Sequence, residues 1–130
     1  MKMEHAGITV KDPAAFTEWY CQHLGFRVMR QMAASPFTTF IADASGSVML
    51  EIYRHPHIQL FDYPNQDPLL MHFAFEVGDE PIQAVADRLI AAGATVYSQL
   101  GVTPSGDQLI MLRDPWGMAI QLVHRNPPML

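Results

Sequence analysis

Four polar residues interrupt apolar segments of the sequence: His5, Glu51, His72 and Gln121. A carboxylate inside a segment as apolar as Met49–Tyr53 costs free energy unless it is paired or bound to a metal. Imidazole, carboxylate and amide oxygen together suit a borderline divalent ion such as Zn, Ni, Co, Mn or Fe. A lone strand histidine is more often a hydrogen-bonded core residue, and a lone strand glutamate can simply face water. The metal hypothesis therefore needs a reason for these residues to meet.

An internal repeat supplies that reason for the two histidines. Residues 3–12 align with residues 70–79 so that His5 falls on His72, a valine falls on a valine and an aspartate falls on an aspartate. Side chains alternate across a strand, so each histidine shares a face with a small residue two positions later, opposite the predicted helix-facing residues. Two equivalent histidines are hard to attribute to chance.

The far ends of the two halves also match. The turns at 43–46 and 114–117 each carry Asp and Gly three residues apart, as tight turns favour, and each turn leads into an apolar strand. Glu51 then corresponds to Gln121, if one residue of slip is allowed. One residue from each end of each repeat suits a site on a pseudo-two-fold axis.

Each half is predicted to fold as a strand, a helix and three further strands, which makes the chain α+β. Asp12 and Asp79 are placed to cap the helices, and Gly25 and Gly93 to follow their last turns. The predicted helices cover 13–23 and 79–92. The predicted strands cover 3–10, 25–33, 36–43, 47–54, 70–77, 94–99, 106–113 and 118–125.

We expect one domain over residues 1–130. Its parts are a first module at about 1–54, a polar and Pro-containing linker at 55–68, a second module at about 69–125 and a tail at 126–130.

These features resemble the vicinal oxygen chelate superfamily, which includes glyoxalases, bleomycin-resistance proteins and extradiol dioxygenases. The resemblance spans nearly the whole chain and is carried by His5, Phe16–Tyr20 with Leu24–Phe26, Glu51, His72, and Asp114–Gly117 leading to Gln121. It implies two tandem βαβββ modules whose curved sheets form an open cup with the helices outside. It also implies a homodimer.

The resemblance is closest to glyoxalase I-like members with four metal ligands. It implies a lyase or isomerase that acts on a small substrate with adjacent oxygens through a metal-stabilised enediolate, with one divalent ion per site. Glyoxalase I usually has glutamate at the last ligand position, and Gln121 cannot act as a base, so Glu51 is the predicted catalytic base. Two alternatives stay open: a non-catalytic, bleomycin-resistance-like binding protein, and a non-haem iron dioxygenase using His5, His72 and Glu51.

Several larger side chains are candidates for lining a substrate pocket, although core and rim packing would explain each of them as well. They are Phe37, Met49, Tyr53, Met111 and Trp116, with Phe61 a further candidate. Arg54 and Arg113 are candidates for meeting an anionic substrate group, or for surface roles.

The composition limits the classes of partner. A net charge of -5 and the lack of a Lys/Arg cluster argue against nucleic acid. No apolar stretch approaches the roughly 20 residues of a membrane span, and no segment has the pattern of a signal peptide. We therefore expect a cytoplasmic protein with a small-molecule substrate.

Overall fold

The computed structural model describes residues 1–129, and it divides into two compact units. Unit 1 is Met1–Phe61 and unit 2 begins at Asp62. Each unit contains one helix and one four-stranded sheet. The predicted α+β class with two βαβββ modules is confirmed. No helix of the described residues is long and apolar enough to cross a membrane.

Unit 1 consists of β1 (His5–Thr9), α1 (Pro13–Leu24), β2 (Arg27–Gln31), β3 (Thr39–Ala42) and β4 (Met49–Tyr53). The strand order across the sheet is β1-β4-β3-β2. The first and last strands of the unit, β1 and β4, are parallel neighbours, and the other pairs are antiparallel. The ends of the module that are distant in sequence therefore lie side by side.

Unit 2 repeats this plan after a short 3₁₀ helix (Tyr63–Asn65) that the sequence did not predict. Its elements are β5 (Phe73–Glu76), α2 (Ile82–Ala91), β6 (Thr95–Val102), β7 (Gln108–Arg113) and β8 (Ala119–His124), with strand order β5-β8-β7-β6. β5 and β8 are again parallel. The tail residues 126–129 lie outside any helix or strand, and Leu130 lies outside the described residues.

The core of each unit lies between its helix and one face of its sheet. In unit 1 the alternating burial of β4 places Leu50 and Ile52 in the core and leaves Glu51 half-buried on the other face. In unit 2 the buried side chains of α2, such as Leu89, face the sheet. Ile120 and Leu122 of β8 are buried as well. The alternation of side chains along each strand thus separates a sheet face that packs against the helix from an opposite face that can carry functional side chains.

The two turns explain the one-residue slip between the halves. In both turns the glycine N–H donates to the aspartate carbonyl, for Gly46 and Gly117 respectively. The first turn closes between Asp43 and Val48, whereas the second closes between Asp114 and Met118, one residue sooner. The extra residue is absorbed in the turn, so the strands that follow remain equivalent.

Three element starts were predicted three residues too early, those at 36, 70 and 79. Asp12 accepts hydrogen bonds from the first amides of α1, but Asp79 does not cap α2, which begins after Pro81. The predicted strand at 70–77 was too long, because residues 70–72 precede β5 and His72 lies just outside it. The remaining strand and helix limits differ from the predicted ones by three residues or fewer.

Candidate functional site

His5 lies at the start of β1, on the sheet face away from α1. Its Nδ1 is 2.6 Å from Oε2 of Glu4, and its side chain is 34% exposed. A carboxylate accepts hydrogen bonds, so a neutral His5 donates through Nδ1–H and keeps its lone pair on Nε2. The preceding residue therefore orients the ring and sets the tautomer that a metal ligand requires.

Glu51 lies in the middle of β4, directly opposite Gly7 of β1. A Cβ atom at Gly7 would lie 3.3 Å from Oε2 of Glu51 and 3.5 Å from the ring of Tyr53, so the glycine leaves the space that these side chains occupy. Oε2 of Glu51 is 3.4 Å from Nε2 of His5. Metal–ligand bonds of about 2.0–2.1 Å would allow two atoms at this separation to bind the same divalent ion. The His5–Glu51 pair therefore fits two positions around one divalent ion.

His72 precedes β5 and is held by backbone rather than by a carboxylate. Its Nδ1 is 2.7 Å from the carbonyl oxygen of Pro68, which is fully buried. A carbonyl oxygen only accepts, so Nδ1 of His72 carries the proton and Nε2 of the neutral ring keeps its lone pair. Both predicted histidine ligands thus have the same tautomer, although different acceptors impose it.

Gln121 takes the place in unit 2 that Glu51 takes in unit 1. It lies in β8 opposite Ala74 of β5, just as Glu51 lies opposite Gly7, and each histidine is two residues before the small residue. Gln121 is half-buried and its amide oxygen is an acceptor that can serve as a ligand. The sheet registers therefore establish the equivalence that the sequence repeat only indicated.

The donor set fits a divalent metal ion in chemical type. Unit 1 holds an imidazole nitrogen and a carboxylate oxygen, and unit 2 holds an imidazole nitrogen and an amide oxygen. Each histidine makes the outer hydrogen bond that metal-bound histidines usually make. Over residues 1–129, no group of three or more His, Cys, Asp or Glu side chains is close enough to hold an ion. Within unit 1, His5 and Glu51 of the predicted set lie 3.4 Å apart.

A cavity of about 280 Å³ in unit 1 adjoins His5. The sequence predicted two of its lining residues as site residues, His5 and Met49, and missed the other four: Glu4, Met29, Arg30 and Phe40. Phe40 makes an edge-on contact with the His5 ring, with centroids 5.5 Å apart. These residues come together only through the pairing register of the strands, and their spacing along the sequence shows no pattern that would have indicated a shared cavity.

The other predicted pocket residues are placed differently in the two units. Tyr53 is half-buried beside Gly7, whereas Phe37 is exposed on the loop before β3 with a positive φ of 58°. Met111 is buried opposite Gln121, and Trp116 is half-buried in the turn before β8.

Arg54 and Arg113 have structural partners. The Arg54 guanidinium donates to the carbonyl oxygens of His55 and Ile58. The Arg113 guanidinium donates to the carbonyl oxygens of Tyr63, Gln66 and Gly117, and so ties the segment that opens unit 2 to the turn before β8. Their donors are engaged with backbone, so these arginines stabilise loops.

Cys21 lies half-buried on α1. Burial raises the pKa of its thiol, which disfavours the nucleophilic thiolate at neutral pH.

Comparison with known proteins identifies the family of the chain. Residues 2–122 match the model of the Glyoxalase/Bleomycin resistance protein/Dioxygenase superfamily. No curated protein matches the chain.

Similar solved structures include a glyoxalase family protein from Bacillus cereus, with 15% identity, a TM-score of 0.80, and coverage of 95% of this chain and 93% of that chain. A glyoxalase/bleomycin resistance protein/dioxygenase family enzyme from Burkholderia phytofirmans PsJN has 20% identity, a TM-score of 0.76, and coverage of 95% and 98%. A glyoxalase/bleomycin resistance protein from Albidiferax ferrireducens T118 has 22% identity, a TM-score of 0.66, and the same coverage. At these identities the structures establish the fold, and the family model, which matches most of the chain, establishes the family: the chain belongs to the glyoxalase/bleomycin resistance protein/dioxygenase superfamily.

Proposed function

We propose that this protein is a glyoxalase I-like, metal-dependent lyase or isomerase that acts on a small substrate with two adjacent oxygens. In this proposal His5, Glu51, His72 and Gln121 hold one divalent ion. The observation that carries it is the geometry of the His5–Glu51 pair. Nδ1 of His5 is hydrogen-bonded to the Glu4 carboxylate, and Nε2 of His5 is 3.4 Å from Oε2 of Glu51. A neutral imidazole lone pair and a carboxylate repel at this distance unless a proton or a metal cation lies between them, and the metal variants described below distinguish the two.

The bound ion would act as a Lewis acid on the substrate oxygens and stabilise the negative charge that develops there. Glu51 is the proposed general base, because it is the only carboxylate in the proposed ligand set. Gly7 gives its carboxylate room, and Gln121 supplies a neutral ligand that takes no part in proton transfer. The Glu4 and Pro68 oxygens hold the two rings in orientation.

A second candidate is a non-catalytic protein that binds a small molecule through the same residues. Gln121 favours it, since a site with one carboxylate instead of two has lost one of the groups able to move a proton. Tight ligand binding without turnover would distinguish this function from the proposed one.

The metal content of the purified, untagged protein tests the site. We expect about one equivalent of ion per site by plasma mass spectrometry, after incubation with Zn, Ni, Co, Mn or Fe and gel filtration. The double variant His5→Ala/His72→Ala should lose it. The matched control is His55→Ala/His57→Ala, which removes two exposed histidines of a loop and should retain the ion. Equal metal content in the wild type and both double variants would refute the site.

Activity assays on the loaded protein then separate the candidate functions. Turnover of hemithioacetals or acyl-CoA epimers supports the lyase or isomerase. Oxygen consumption with Fe(II) and catechols would instead indicate the dioxygenase chemistry of the superfamily.

A further inference from the structure

The cavity beside His5 has a mixed wall. Met29, Phe40 and Met49 are apolar, whereas Arg30 adds a guanidinium. The Glu4 carboxylate, also in the wall, is engaged by the His5 ring. Arg30 takes part in none of the ion pairs found among residues 1–129. Arg30 is exposed, so its guanidinium is solvated and free to bind an anion that enters the cavity.

Strand register aligns Arg30 with the proposed site. Gly7, Glu51, Phe40 and Arg30 form one row across the sheet, each opposite the next. Side chains in one such row share a face. A β-bulge between Val28 and Arg30 keeps Arg30 opposite Phe40 and inserts Met29 as the extra residue. Arg30 lies two strand spacings from Glu51, or about 10 Å between backbones.

The corresponding row of unit 2 lacks this charge. There Ala74, Gln121, Met111 and Ser98 follow one another, and a bulge between Val96 and Ser98 repeats the one in β2. Ser98 thus replaces Arg30. The cation is therefore a feature of the unit 1 row that the architecture of the sheet does not require, and it is available to a ligand in the cavity.

We propose that Arg30 is a specificity-determining residue that binds a carboxylate at the far end of the substrate. The substrate would carry its adjacent oxygens at the His5–Glu51 end, an apolar segment against Met29, Phe40 and Met49, and a carboxylate at Arg30. A guanidinium fork matches a carboxylate in two parallel hydrogen bonds. This inference rests on the proposed function for the chemistry at the first end, but not for the anion subsite itself.

The test uses two probes that differ only at the far end: 2-oxoadipate, which carries a distal carboxylate, and 2-oxohexanoate, which carries a methyl group there. Dissociation constants are measured by ¹H–¹⁵N NMR titration of the full chain, with zinc added and after chelator treatment. The variants are Arg30→Gln and the control Arg27→Gln. Arg27 lies on the same strand, but its guanidinium approaches the turn at Gly46.

We expect the wild type and Arg27→Gln to bind 2-oxoadipate about ten-fold more tightly than 2-oxohexanoate. Arg30→Gln should lose this preference and bind 2-oxohexanoate as the wild type does. The same ratio in wild type and Arg30→Gln, with or without zinc, would overturn the proposal. If the wild type holds no zinc but shows an Arg30-dependent preference, the metal function fails and the anion subsite stands. If it holds zinc and shows no preference, the subsite fails alone.

Discussion

At the scale of single residues, Glu51 and Gln121 occupy equivalent places but offer different chemistry. Replacing Glu51 with Gln keeps an oxygen ligand and removes the proposed base. We expect Glu51→Gln to retain the metal ion while turnover falls by about 10²-fold or more, measured on the substrate that the activity screen identifies. The converse exchange, Gln121→Glu, should retain both ion and turnover. Full activity in Glu51→Gln would show that Glu51 is not the base.

Gly7 is predicted to matter because of the atom it lacks. A Cβ there would be 3.3 Å from Oε2 of Glu51, so Gly7→Ala must displace the carboxylate by a few tenths of an ångström. We expect zinc affinity, measured by competition with a chelator, to fall roughly ten-fold without loss of the fold. Gly101→Ala is the control, since its strand position has no atom within 4 Å of the new Cβ. An unchanged affinity in Gly7→Ala would argue against a role for Glu51 as a ligand.

At the scale of elements, two equivalent turns differ in burial, and this difference predicts stability. The buried Asp114 carboxylate accepts the amides of Trp116 and Met118, both at 2.9 Å. Asp114→Ala leaves two donors without that partner, and we expect the free energy of unfolding in urea to fall by about 2–3 kcal/mol. Asp43→Ala, in the more exposed first turn, should cost less than about 1 kcal/mol. Equal losses would show that burial of the turn is not what sets its contribution.

The elements themselves were predicted well where a local signal exists. Asp12 and Gly25 flank α1 as cap and stop, because capping depends on residues next to the helix. Asp79 was misassigned because the repeat was assumed to extend to the cap, whereas Pro81 moves the start of α2 along the chain. The wholly exposed character of β2 was likewise invisible, since an apolar residue such as Val28 or Met29 predicts burial unless the sheet order is known.

At the scale of the whole molecule, both sheets end in a strand whose residues are all exposed, β2 in unit 1 and β6 in unit 2. Unpaired apolar edges favour association. We expect a homodimer of about 29 kDa, twice the 14.6 kDa chain, in sedimentation velocity. Val102→Lys, which places a charge on the exposed edge of β6, should weaken it, and Lys11→Gln should not. A monomer at all concentrations tested would contradict this expectation.

The sequence by itself determined the repeat, the α+β class and the four candidate ligands. Hydrophobic periodicity, capping residues and duplicated histidines can all be recognised from the order of the residues alone. Only the tertiary structure decided which atoms those ligands present. The tautomers of His5 and His72 follow from two different oxygen acceptors, and the pairing of Glu51 with Gly7 follows from a parallel register between strands that lie more than forty residues apart in the chain. The cavity wall that includes Arg30 follows from register as well, since a β-bulge sets which side chain faces Phe40. Contacts between strands depend on pairing geometry, and no property of the residues taken in order specifies that geometry.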